Sequence, residues 1–322
     1  MVPGGHGTDK IQHQAWRFLE PALLNSDPSP WERRMRALCL RYFRQLDQYL
    51  ERLVALAGPA AQVFVASDHG FTHSYEVVRI NRYLHEKGHL FWKPADGSAE
   101  FARREASAFF THLDWKNTVA YCHTPSSNGI TIRVARHPGE AGIAAAEYPA
   151  FRAQLMADLE ALRDPVSGER IIRAIRTRED VFPGPSMSQA PYLLLTLRDH
   201  GFVSIKNLEP VVLPRPYPIG THHPEGIFLA AGPGIVAGQH GEPRDIVDVA
   251  ATLLYSLGLD IPGDLEGRVP EAFFTVEQRF SHPVRLGDPT LPVAGGTSKT
   301  AEASAAEKAR ILEQLHMLGY ME

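Results

Sequence analysis

The sequence predicts an α/β protein, and two observations carry that reading. Segments with helical spacing of apolar residues alternate with short apolar or alternating runs bounded by Gly and Pro. The clearest unit is a long amphipathic stretch, Trp31 to Ala57, stopped by Gly58-Pro59 and followed by the apolar run Gln62-Val63-Phe64-Val65-Ala66. A helix, a turn and a strand with polar residues at its C-terminal end place candidate ligands where open α/β sheets keep their sites. With 322 residues and a hydrophobic fraction of 44%, the chain can bury a sizeable core.

The elements follow in order. Asp9 to Leu19 reads as a short helix ended by Glu20-Pro21. In Trp31 to Ala57, Met35, Leu38, Tyr42, Leu46, Tyr49, Leu53 and Leu56 recur at spacings of three and four, which predicts one apolar face. Gln62 to Ala66 is a strand, and Gly70 just beyond it is read as the point where the backbone turns sharply. Residues 81–138 are less regular and aromatic, with Trp92, Phe109, Phe110, Trp115 and Tyr121. Ile130 to Val134 alternates as a strand, Pro149 to Arg163 is an amphipathic helix, and Ile171 to Ile175 is a further strand. Tyr192 to Leu197 reads as a strand, Gly226 to Ala231 as a buried strand ending in the turn Gly232-Pro233-Gly234, and Asp245 to Leu257 as a helix capped by Gly258. Residues 283–304 read as a Pro/Gly-rich linker, and Ala305 to Leu318 as a last amphipathic helix with Ile311, Leu315 and Leu318 on one side. This divides the chain into 1–80 and 191–280 as parts of one α/β core, 81–190 as a smaller α+β insertion or cap, and 281–322 as linker and terminal helix.

Composition narrows the function classes. Lys+Arg 33 against Asp+Glu 37 gives a net charge of −4, which draws the chain neither to nucleic acid polymers nor to an anionic membrane. Two cysteines, Cys39 and Cys122, are too few for a cysteine zinc site. Cys39 lies in a helical pattern and reads as a small buried apolar residue. No run is long and apolar enough to span a bilayer. The first residues lack the basic start and apolar stretch of a secretion signal, so a cytoplasmic location is expected.

Three segments carry chemistry. Asp9 and His13 lie four apart, so a helix puts both on one face within reach of one ion. Taken alone, they would be a helix-capping Asp and a surface His. Asp68 and His69 follow the strand directly, in Ser67-Asp68-His69-Gly70-Phe71, and can turn a carboxylate and an imidazole onto one divalent metal. The plainer alternative is a polar turn. His222 and His223 lie in Gly220-Thr221-His222-His223-Pro224-Glu225-Gly226. His73, His200 and His240 fall outside these patterns and read as surface or satisfied core histidines. Gly232-Pro233-Gly234 lacks the Lys and Ser/Thr of a phosphate-binding loop, so a tight turn is the better reading.

Together the segments resemble the alkaline phosphatase superfamily, and within it the type I phosphodiesterase / nucleotide pyrophosphatase family. There a D-x-x-x-H, an S-D-H-G and a late G-x-H build a two-metal site for phosphoryl transfer. The resemblance implies an alkaline-phosphatase-like sheet flanked by helices, with a smaller α+β subdomain. It implies that Asp9, His13 and His222 hold one divalent ion and that Asp68 and His69 hold part of a second. His223 would then stand at a variable position, facing the substrate or solvent. Mixed Asp/His donors suit Zn²⁺, with Mn²⁺ the alternative. The substrate would be a small phosphate ester or nucleotide. No segment before Asp9 matches the family's first metal-binding Asp or its Thr/Ser nucleophile. The chain is therefore expected to be N-terminally truncated, with the nucleophile upstream of Met1, and to be incomplete as a catalyst. Pro191-Tyr192-Leu193 stands where relatives have Pro-Asp-Leu. Two other readings stay open: a non-catalytic metal- or ligand-binding relative, and a sulfatase or phosphomutase of the same superfamily. Neither cysteine lies in a sulfatase modification motif. Oligomeric state is not legible in the sequence.

Overall fold

The computed structural model describes residues 6–94, 97, 109–124 and 127–290. It is a mixed α/β fold with several sheets. In chain order come α1 (His6–Leu19), α2 (Pro30–Ala57), β1 (Val63–Ala66), β2 (Gly70–Arg79), α3 (Ile80–Glu86), β3 (Ala120–Cys122) and β4 (Gly129–Ile132). Then follow α4 (Tyr148–Glu160), β5 (Ile172–Thr177), α5 (Arg178–Val181), β6 (Leu193–Leu197), β7 (Val203–Ser204) and β8 (Val212–His223). The last are β9 (Phe228–Ala231), α6 (Asp248–Ser256), β10 (Ile261–Pro262), α7 (Val276–Ser281) and β11 (Leu286–Gly287). The terminal helix expected over 305–318 lies outside the described residues, as does the linker from 291 on. No described helix is long and apolar enough to cross a membrane.

The described residues form two compact units, 6–25 with 72–222, and 26–71 with 223–290. The first holds a four-stranded antiparallel sheet in the order β3-β4-β6-β5 and a three-stranded sheet in the order β7-β2-β8. Its core gathers Val78, Ile80, Leu84, Ile130, Ile132, Leu155, Leu159, Leu193 and Val203. The buried Asn81 side chain stitches this core to β3: it donates to the Cys122 carbonyl (3.0 Å) and accepts from the Cys122 amide (2.7 Å). Burial pushes the Cys122 thiol up to about 12, so it is an inert core group.

Four strands of this unit, β2, β3, β7 and β8, were not expected, and β2 and β8 are the long ones. In β2 the inward positions Ser74 and Glu76 are polar, so the strand shows no hydrophobic alternation. In β8, Pro214, Pro216 and Pro218 argue against a strand. Prolines at alternate positions remove N–H donors along one edge only, and β8 is an edge strand of its sheet.

The second unit is built on α2 and the antiparallel pair β1-β9, with a small core of Ile235, Ala251, Tyr255, Ile261 and Phe274. Ser29 and Glu32 form a reciprocal cap at the start of α2. The apolar face expected on α2 is only partly covered. Cys39 is buried, but Leu38 and Tyr49 are exposed and Leu56 is 84% exposed. A 28-residue helix is about 42 Å long, and two four-residue strands run only about 13 Å. The strand expected to be buried at 226–231 is likewise half covered, with Leu229 59% exposed, because a two-stranded sheet shelters one face.

An ion network holds the first unit's sheets. Arg198 grips the buried Glu76 with two bonds (3.1 and 2.6 Å) and also bonds Asp164 (2.6 Å) and Glu169 (3.0 Å). Burial pushes the Glu76 carboxyl up, against the pull of Arg198. The Arg198 hydrogen bond, with the Val166 amide, holds the Asp164 carboxyl far below the usual carboxylate range. Asp164 therefore adds stability that is complete above about pH 4 and lost as pH falls through its lowered value. The raised Glu76 works the other way, since its ionisation costs stability as pH rises. Replacing Arg198 by Met leaves Glu76 buried without its guanidinium and should cost about 3 kcal/mol at pH 7. The deficit should shrink between pH 7 and pH 5, because burial favours the protonated form of an unpaired Glu76. Urea unfolding at the two pH values checks this, and an equal deficit at both would contradict it.

Candidate metal centre

Asp9 and His13 lie on α1, which begins one turn earlier than expected, at His6. His222 lies near the end of β8. The close approach of β8 to α1 is set at Gly220, where a Cβ would overlap the Gln12 carbonyl. There His13 Nδ1 donates to the Gly220 carbonyl oxygen (2.9 Å). A carbonyl only accepts, so Nδ1 carries the proton and the neutral ring presents its Nε2 lone pair. His13 is 3% exposed, so this ring is held in place.

That lone pair meets two other donor atoms. His13 Nε2 lies 3.0 Å from His222 Nε2 and 3.4 Å from Asp9 Oδ1, and His222 Nε2 lies 3.2 Å from Asp9 Oδ1. Two ligands about 2.0–2.1 Å from a tetrahedral ion lie about 3.3 Å apart. The triangle of one carboxylate oxygen and two imidazole nitrogens therefore has the dimensions of a tetrahedral face. His222 is steadied by the edge of the Phe202 ring (5.3 Å between centroids, 84°). Its neighbour, the buried Thr221, donates from Oγ1 to the His200 carbonyl (3.1 Å). Phe202 and Thr221 gave no signal in the sequence, because each acts through a contact that only the fold creates.

In the second unit, Asp68 and His69 leave the end of β1. Ser67 pins this exit: its amide donates to the Ile227 carbonyl (3.0 Å) and its Oγ accepts from the Ile227 amide (2.8 Å). His69 Nδ1 donates to the Gly70 carbonyl oxygen (3.0 Å), which again puts the ring's lone pair on Nε2, 3.6 Å from Asp68 Oδ1. The Asp68 side chain is 81% exposed. Gly70 does not turn the chain as expected. It opens β2, and glycine is required because a Cβ would run into the Glu225 backbone. His223 accepts the Glu225 amide at Nδ1 (3.1 Å), so its neutral ring carries the proton on Nε2.

The dependence of the triangle on Gly220 can be tested. Gly220→Ala should force α1 off β8 and break the His13–Gly220 hydrogen bond, at a cost of about 2 kcal/mol or more. The thermal midpoint should fall, and the slowly exchanging His13 Nδ1 proton should vanish from the NMR spectrum. A variant with unchanged midpoint and an intact Nδ1 proton would contradict the assignment.

No curated protein and no solved structure gives a match. The family model described as type I phosphodiesterase / nucleotide pyrophosphatase matches residues 6–225, a span that contains Asp9, His13, Asp68, His69, His222 and His223. The match covers more than half of the chain, and the chain belongs to the type I phosphodiesterase / nucleotide pyrophosphatase family of phosphoester hydrolases.

Proposed function

We propose that the protein takes part in metal-dependent hydrolysis of a small phosphate ester or nucleotide, using two divalent ions. The observation that carries the reading is the triangle of Asp9 Oδ1, His13 Nε2 and His222 Nε2, with sides of 3.0 to 3.4 Å. Asp9, His13 and His222 would hold one ion, and Asp68 with His69 would contribute to the second. The donor set of carboxylate oxygen and imidazole nitrogen suits Zn²⁺ best, with Mn²⁺ next. Bound divalent ions supply Lewis-acid stabilisation of charge on phosphoryl oxygens.

The protein's own groups prepare for that chemistry. The carbonyls of Gly220 and Gly70 fix the tautomers of His13 and His69, so each ring offers a lone pair without a proton to lose. His223, with its proton on Nε2, is placed by this reading toward substrate, where it would donate a hydrogen bond to a phosphoryl oxygen. The exposed Asp68 carboxylate can turn without breaking a core contact.

His222→Ala should lower hydrolysis of a nitrophenyl phosphodiester by about a hundredfold or more. His240→Ala, on an exposed loop, should leave it unchanged. Chelation should abolish turnover, and Zn²⁺ or Mn²⁺ should restore it. Full turnover in His222→Ala, or after exhaustive chelation, would overturn the reading.

A further inference from the structure

The first unit contains a cavity of about 510 Å³, lined by Thr72, His73, Tyr75, Glu76, Glu169, Arg198, Asp199 and His200. Its volume is that of a small-molecule site. No side chain among these residues has a role in the candidate metal centre or in the proposed hydrolysis. We propose that this cavity is a binding pocket for an organic cation, a protonated amine carried on a small molecule.

Charge decides the sign of the ligand. The lining carries three carboxylates, Glu76, Glu169 and Asp199, against one guanidinium, Arg198. That guanidinium is already committed to Glu76, Asp164 and Glu169, so it has little to offer an anion, and among the described residues Asp199 is the lining carboxylate without a guanidinium partner. Asp199 differs from Glu76. Its two oxygens each accept one backbone N–H, from Tyr75 (2.9 Å) and Gly201 (2.8 Å), which fixes the carboxylate and leaves lone pairs for a ligand N–H.

Aromatic faces decide the kind of cation. His73 and Tyr75 meet edge to face at 4.5 Å between centroids, and Tyr75 is 50% exposed. Among the described residues neither the His73 imidazole nor the Tyr75 hydroxyl makes a hydrogen bond. An ammonium over such rings gains cation–π attraction, strongest where water is displaced.

The backbone behind the cavity is held in an uncommon conformation. His200 adopts a left-handed conformation (φ 58°), and a Cβ on Gly201 would crowd the Ser74 hydroxyl and the Asp199 carboxylate. Non-glycine residues in this region are costly and gather at ligand sites. Here Asp199 and His200 both line the cavity, the Asp199 carboxylate held by two backbone amides and the His200 Nε2 3.4 Å from Arg173 Nη1.

The test is a binding measurement on the full chain without turnover, so it succeeds or fails independently of the phosphoester reading. Calorimetric or NMR titration with n-butylammonium chloride at pH 7 and constant ionic strength should give saturable millimolar binding. Neutral 1-butanol should bind about tenfold more weakly. Asp199→Asn and Tyr75→Leu should each weaken the ammonium complex about threefold or more. Glu169→Gln replaces an exposed lining residue and decides the matter if the other variants do not fold; it too should weaken binding. Equal affinity for the amine and the alcohol, absence of binding, or folded variants with parental affinity would each overturn the proposal.

Discussion

The close approach of β8 to α1 at Gly220 is the constraint on which the candidate metal centre depends. With no side chain there, the strand backbone comes against the backbone of Gln12 and His13, and the Gly220 carbonyl reaches the His13 ring. One contact thus fixes three things. It sets the tautomer of His13, it sets the direction of its Nε2 lone pair, and it brings His222, two residues along the strand, within 3.0 Å of that lone pair. Asp9 follows for free, because four residues on a helix is one turn.

The same chemical device recurs at His69, which donates Nδ1–H to the Gly70 carbonyl. In both places a main-chain oxygen orients an imidazole, where a carboxylate often does so. A carbonyl adds no charge beside the ligand. The net charge of each donor set is then left to Asp9 and Asp68 alone. Both glycines are required for backbone proximity rather than for a left-handed turn, since neither lies at positive φ.

Much of this was legible in the sequence, and the limits are physical. The α2–β1 unit could be read because its signals are local: a capped apolar repeat, a Gly-Pro stop and a five-residue apolar run. Asp9 with His13 could be read because helix geometry is set by spacing. The pairing of either with His222 could not be derived from spacing, because the contact spans more than two hundred residues and rests on a glycine whose function is to be small. β2 escaped because its inward Glu76 is tolerable only through Arg198, 122 residues away. β8 escaped because three prolines look like a loop until the strand is known to lie at an edge. The helical repeat of α2 was correct as a period and misleading as a burial map, because period alone does not say how much surface is available to cover it. The cavity beside Asp199 had no local signature at all.

The most direct test of the account is a Zn²⁺ titration of ¹⁵N-histidine-labelled protein followed by long-range ¹H–¹⁵N NMR. The account predicts that the Nε2 resonances of His13 and His222 shift together in one saturating step, while the proton on His13 Nδ1 persists. A shift at only one of the two rings, or loss of the His13 Nδ1 proton on metal binding, would contradict it.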